Sequence, residues 1–278
     1  MKTSSFLWGA AALGVLLAGC DRRENSVSEE AASEESLTEV SDRALDEASE
    51  AAMPFALPGG GSGPCAGNLE WLGTCAEITD SGAEVYPRTV VVDFGEGCTG
   101  PNGVTRSGVL TIVDSGNLLE TAGATRTLTF TDFGIGNRLL TGTKVRTSTG
   151  TDADGHPTST FVTNLTVVRN GQTFTRSASG SSVWLAGYDT PACGDNVIQR
   201  DGSATVAGPG GNARTRTFTA VVHDQVCGYP VSGTVHIERP GPDVDIDYGD
   251  GSCDPLATVV RGNQTFLLDL ETHTLTPQ

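Results

Sequence analysis

Five aspartates near the C-terminus, Asp243, Asp245, Asp247, Asp250 and Asp254, form the best candidate set of hard oxygen ligands in the chain. Residues 243, 245 and 247 alternate, so a strand projects their carboxylates from one face, with Asp250 and Asp254 in the turn that follows. Gathered in this way they would hold Ca²⁺. The competing use of the same residues is to cap turns through their own backbone, as Asp before Gly does. No other cofactor is expected. Asp152-Ala153-Asp154-Gly155 begins like a calcium loop, but no bidentate Glu follows at the needed spacing, and it reads as a turn. His156, His223, His236 and His273 are scattered, with no His-x-His or His-Glu-x-x-His, and there is no Gly-x-Ser-x-Gly elbow. No stretch carries a catalytic signature, so an enzyme is not expected. The hydrolase chemistry left open is a carboxylate pair brought together in space. Trp71, Trp184, Tyr188 and Tyr229 either line a glycan or ligand face or belong to the core.

The N-terminus carries a different chemistry. Met1-Lys2-Thr3 is a short basic start, an apolar run spans residues 6–17, and Leu17-Ala18-Gly19-Cys20 follows. The run is too short for a mature membrane span and has the form of a signal peptide over residues 1–19. Its end closely resembles the lipobox of bacterial lipoproteins, which implies diacylglycerol on the Cys20 sulfur, cleavage before it, and acylation of the new amino group. Two or more chains hold a protein at a bilayer where one does so only marginally. The resemblance predicts a bacterial cell-envelope protein, membrane-anchored through lipid. Which membrane and which face stay open. Residues 20–63 then combine glutamates with Ser and Ala and almost no large apolar side chains, too little to offset ordering entropy. They read as a disordered acidic tether, spanning on the order of 40 Å as a flexible coil.

Six cysteines remain: Cys65, Cys75, Cys98, Cys193, Cys227 and Cys253. An oxidising compartment favours disulfides over zinc, and no Cys-x-x-Cys occurs. Cys227 and Cys253 each lie thirteen residues from Pro240. A hairpin turning at Arg239-Pro240-Gly241-Pro242 therefore brings them opposite one another, within bridging range. Proximity suggests Cys65–Cys75, and elimination leaves Cys98–Cys193. A Cys98–Cys253 bridge stays open.

These residues need a scaffold, and alternation supplies it. Residues 89–92, 110–113, 127–130, 161–168, 218–222, 231–238 and 244–248 read as strands with one polar and one buried face. Gly-rich breaks fall at Gly95-Glu96-Gly97, Gly134-Ile135-Gly136, Asp154-Gly155, Asn170-Gly171 and Asp201-Gly202, and Asn170-Gly171 is the strongest hairpin signal. The expected fold is all-β: a single antiparallel domain over residues 64–278, a meander-rich sandwich or partly open barrel. The net charge of −17 and a total of two lysines, Lys2 and Lys144, argue against a nucleic acid partner.

Asp93-Phe94-Gly95-Glu96-Gly97-Cys98 is echoed by Asp247-Tyr248-Gly249-Asp250-Gly251-Ser252-Cys253. A second echo pairs Arg126-Thr127-Leu128-Thr129-Phe130 with Arg216-Thr217-Phe218-Thr219, inside the first. This nested order predicts that the first and last strands of the domain lie close together. The motifs, with Tyr86-Pro87-Arg88-Thr89, Asn102-Gly103, Trp184-x-Ala186-Gly187-Tyr188 and Ser232-Gly233-Thr234, resemble a group of uncharacterised β-rich bacterial envelope lipoproteins. That resemblance implies an envelope lipoprotein and no particular activity. The functional expectation is a lipid-anchored binding or structural module with an envelope glycan, peptide or protein partner. The alternatives are a carrier of an apolar ligand and an envelope hydrolase.

Overall fold

The computed structural model describes residues 74–82, 85–100, 103–190, 194–272 and 274–278. The expected signal peptide and acidic tether, with Cys20, Cys65, Trp71, Cys193 and His273, lie outside these residues. The chain is all-β, and its strands follow one another as an antiparallel meander. The first end holds β1 (Glu77–Asp80), β2 (Arg88–Asp93), the short β3 (Cys98–Thr99), β4 (Thr105–Asp114) and β5 (Thr125–Ile135). Long central strands follow: β6 (Arg138–Thr151), β7 (Pro157–Arg169), β8 (Gln172–Ala186), β9 (Val197–Ala207) and β10 (Ala213–Asp224). The far end is β11 (Tyr229–Glu238), β12 (Val244–Asp250), β13 (Leu256–Arg261), β14 (Gln264–Asp269) and β15 (Thr274–Pro277). Asn170-Gly171 makes the β7–β8 turn with both residues left-handed, φ 51° and 73°, the geometry that a two-residue hairpin needs.

One face of this sheet is apolar at both ends. Val90, Val92, Phe94, Leu110, Ile112, Leu128, Phe130, Phe133, Leu140 and Leu165 pack together at the first end. Val235, Ile246, Tyr248, Ala257, Val259, Phe266 and Leu268 pack at the far end. The register sets these residues opposite one another from strand to strand, so they share one, inner face. Burying one large apolar side chain stabilises by about 1.5–3 kcal/mol, and these clusters hold the two ends.

The nested echo has a different meaning from the one expected. β1 and β15 are the opposite edges of an unclosed sheet, because a pure meander lays strands out in sequence order. The two motif copies instead build the same hairpin twice. Asp93 Oδ1 accepts from the Gly95 N–H at 2.8 Å, and Asp247 Oδ1 from the Gly249 N–H at 2.9 Å. The aromatic beside each aspartate, Phe94 or Tyr248, enters one of the two clusters. A disulfide then closes the open end of each hairpin: Cys75–Cys98 across β1–β2, and Cys227–Cys253 across β11–β12, with Cα separations of 5.5 and 5.6 Å. The symmetric spacing about Pro240 thus pairs Cys227 with Cys253. Cys65–Cys75, Cys98–Cys193 and Cys98–Cys253 give way to Cys75–Cys98, since β3 folds back beside the hairpin base and outweighs closeness along the chain. Each closed loop contributes about 3 kcal/mol on the chain-entropy account.

Candidate functional site

Directly opposed residues in an antiparallel sheet share a face. The register therefore sorts the charges, and the sorting is nearly complete. From Arg88 onward, every arginine and lysine except Arg239 occupies an inner-face position. Strand carboxylates such as Asp201, Asp245, Asp247 and Asp269 point the other way, with Asp80 and Asp114 as the inner exceptions. An acidic chain thus hides a basic surface.

The inner charges begin as a ladder. Arg88 Nε donates to Asp80 at 3.0 Å, and this arginine holds the Asp80 carboxyl below its usual range. Asp114 stands between Arg88 and Arg126 in register. Arg126 grips Asp114 through both oxygens, Nε to Oδ1 at 2.7 Å and Nη2 to Oδ2 at 2.8 Å, with both side chains buried. The next step is Arg146, opposite Arg126, and the alternation of sign stops there. Arg146 Nε donates to the buried Ser159 hydroxyl at 2.7 Å, which shares a hydrogen bond of 2.8 Å with Ser182. Burial pushes the Arg146 guanidinium down to about 10, and repulsion from Arg126 and Arg200 adds to that.

Beyond Arg146 the described inner face, Leu165 at its margin apart, carries cations, small side chains and aromatics in place of a large aliphatic cluster. Its rows read Lys144, Thr163, Ala178, Ala204, Arg216, and then Arg146, Phe161, Gly180, Gly202, Phe218. A third carries Ser159, Ser182 and Arg200, and a fourth Leu165, Arg176, Val206 and Arg214. From β6 to β10 this surface crosses roughly 19 Å of sheet. Gly180 and Gly202 face each other, which lets the flanking Phe161 and Phe218 rings stack across them, 6.3 Å apart and 10° from parallel. A β-carbon on Gly180 would lie 2.9 Å from the Phe161 ring. Asp201-Gly202, read from sequence as a break, therefore lies inside β9, and its glycine serves close packing. Arg138 and Arg169 form a second like-charged facing pair, and burial with mutual repulsion lowers the Arg138 guanidinium.

A pocket opens beside Arg146. Arg126, Arg146, Ser148 and Ser159 supply its polar lining, Trp184 and Pro157 its apolar walls, and the 117–119 turn lies over it. The Trp184 N–H is already given to Asn196 at 3.0 Å, so the ring serves as an apolar wall. Tyr188 packs edge-on against Trp184 and against His156.

The residues singled out from sequence lie elsewhere. Asp243, Asp245, Asp247, Asp250 and Asp254 do not bring three ligand atoms together, and four of these carboxylates have other work. Asp247, Asp250 and Asp254 each accept from the backbone N–H two residues on, and Asp245 binds His236 Nδ1 at 2.7 Å across β11–β12. Among the described residues the three-ligand cluster is Asp152, Asp154 and His156, in the β6–β7 turn. There Asp152 caps the turn through the Asp154 and His156 N–H groups. The Asp245 hydrogen bond raises the His236 imidazole above its ordinary value. By NMR, His236 is expected to titrate above 6.5, and Asp245→Asn should bring it back down. A raised imidazole adds stability that is complete below the unfolded value and fades as pH climbs through the folded one. An unshifted His236 in the parent would refute the pairing.

The fold and site define an open-sheet all-β protein with a basic, aromatic-bearing inner face. No family model, curated protein or solved structure matches the chain. Sequence reading missed the site because net charge averages its two faces. The available signal was cations two apart in threonine-rich strands, Lys144-x-Arg146 and Arg214-x-Arg216.

Proposed function

We propose that the protein is a lipid-anchored bacterial envelope module that binds an acidic glycan along the inner face of β6–β10. The observation that carries this reading is the segregation of charge: Lys144, Arg146, Arg176, Arg200, Arg214 and Arg216 share one face with Phe161 and Phe218. Guanidinium groups grip carboxylates and phosphates, and aromatic faces take sugar rings and cations. The acids on the opposite face do not prevent this. Across the sheet they are about a Debye length away, roughly 8 Å at physiological salt, and an extended chain in the inner face meets the arginines first. The net charge of −17 still argues against nucleic acid as the polyanion. The Cys20 lipobox and acidic tether support the envelope address.

The test uses the full-length protein on polygalacturonate and on neutral dextran. Retention on the acidic polymer, released by salt and weakened about tenfold by Arg214→Gln with Arg216→Gln, is expected. Equal retention on dextran, or none on polygalacturonate, overturns the reading. So does a tight complex with an envelope protein that excludes the polymer. In cells, Cys20→Ser should move the protein from the membrane fraction to the soluble fraction, and unchanged membrane recovery would remove the anchor.

A further inference from the structure

The charge ladder breaks at one defined place. Acid and base alternate from Asp80 through Arg88 and Asp114 to Arg126, and then a second arginine, Arg146, takes the rung where the pattern calls for a carboxylate. Asp114 holds Arg126 through both oxygens and makes no hydrogen bond to Arg146. Among the described residues no carboxylate pairs with Arg146, and Arg200 adds a further positive charge nearby. The missing negative charge has somewhere to sit, because the pocket beneath the 117–119 turn opens on Arg146.

We propose that this pocket is an oxyanion site, taking one carboxylate or phosphate group on Arg146, with the body of the ligand against Trp184 and Pro157. The inference rests on the glycan-binding reading and assigns one subsite within it. Ser159 fixes the guanidinium from its Nε side, which leaves the terminal nitrogens to meet the incoming group. An arginine held among like charges and partly out of water strains the empty protein. Binding an anion relieves that strain, so the ligand stabilises the fold as it binds.

That gives a readout that a merely structural arginine would not share. Arg146→Met in the full-length protein is expected to keep or raise the melting temperature, since it removes a half-buried charge that has no carboxylate partner among the described residues. The same variant should lose at least tenfold in affinity for galacturonate or inorganic phosphate. Ser159→Ala keeps the charge and frees the guanidinium, and should weaken binding a few-fold. Titrations with galacturonate, inorganic phosphate and neutral galactose separate the sources, and the anion giving the larger thermal shift names the group. Arg146→Met that binds both anions as the parent does would falsify the assignment. A lowered melting temperature with no anion-induced shift in the parent would do the same. If Arg146→Met still binds polygalacturonate fully while Arg214→Gln with Arg216→Gln does not, the subsite fails and the glycan reading stands. If the parent does not bind the polymer at all, the reading itself fails.

Discussion

Asp114→Ala should lower unfolding stability by about 3–5 kcal/mol, the largest loss expected from any single charged residue in the chain. Asp114 is the inner-face carboxylate between Arg88 and Arg126, and its pair with Arg126 is buried on both sides, with side chains 5 % and 9 % exposed. Removing it leaves a buried guanidinium uncompensated beside Arg146, so repulsion is added to lost attraction. Removing both partners is a different matter. Asp114→Leu with Arg126→Met takes away two desolvated charges together and should recover most of the loss, since apolar replacement of a buried pair is often neutral or stabilising. Urea unfolding followed by fluorescence measures both, with the midpoint shifting at constant slope. A single-variant loss below about 1 kcal/mol would mean that the pair is solvated and that the ladder carries no weight.

Gly202→Val should be comparably damaging and also affect binding. At φ 149°, a β-carbon on Gly202 would lie 2.3 Å from the Ser179 carbonyl oxygen and 2.6 Å from Gly180 Cα. Both obstacles are backbone, so relief requires β8 and β9 to separate where the sheet is long and central. Backbone strain of about 1–3 kcal/mol and a similar overpacking penalty put the loss at roughly 3 kcal/mol or more. Gly194→Ala is the control: a β-carbon there meets nothing within 4 Å, and the change should stay within about 0.5 kcal/mol. Separating the strands also parts Phe161 from Phe218, so any folded Gly202→Val protein should bind polygalacturonate more weakly. Equal stability of the two variants would show that the Gly180–Gly202 approach is not a constraint.

The scaffold was legible wherever one strand carried its own signal. Leu128 and Phe130 alternate with threonines, Asn170-Gly171 demands a two-residue hairpin, and Cys227 and Cys253 are equidistant from Pro240. Each of these is a local fact that the fold obeys. The site was not legible, because it is assembled across strands. Arg126, Arg146 and Arg200 are far apart in the chain, and the accumulated register of five strands brings their charges within influence of one another. The Asp201-Gly202 reading failed for a related reason: glycine marks a turn and a close approach with the same letter. The Cys75–Cys98 bridge depended on β3 doubling back, which two residues cannot announce.

The bridge between Cys75 and Cys98 also decides how the molecule bears mechanical load. Tension applied to the chain ahead of Cys75 does not run through β1 and β2. It crosses the sulfur–sulfur bond directly into Cys98, which is anchored in the first apolar cluster beside β4. The edge hairpin, the part most easily peeled from an open sheet, is thereby taken out of the line of pull, and a tug from the N-terminal side meets the strands of the packed core first.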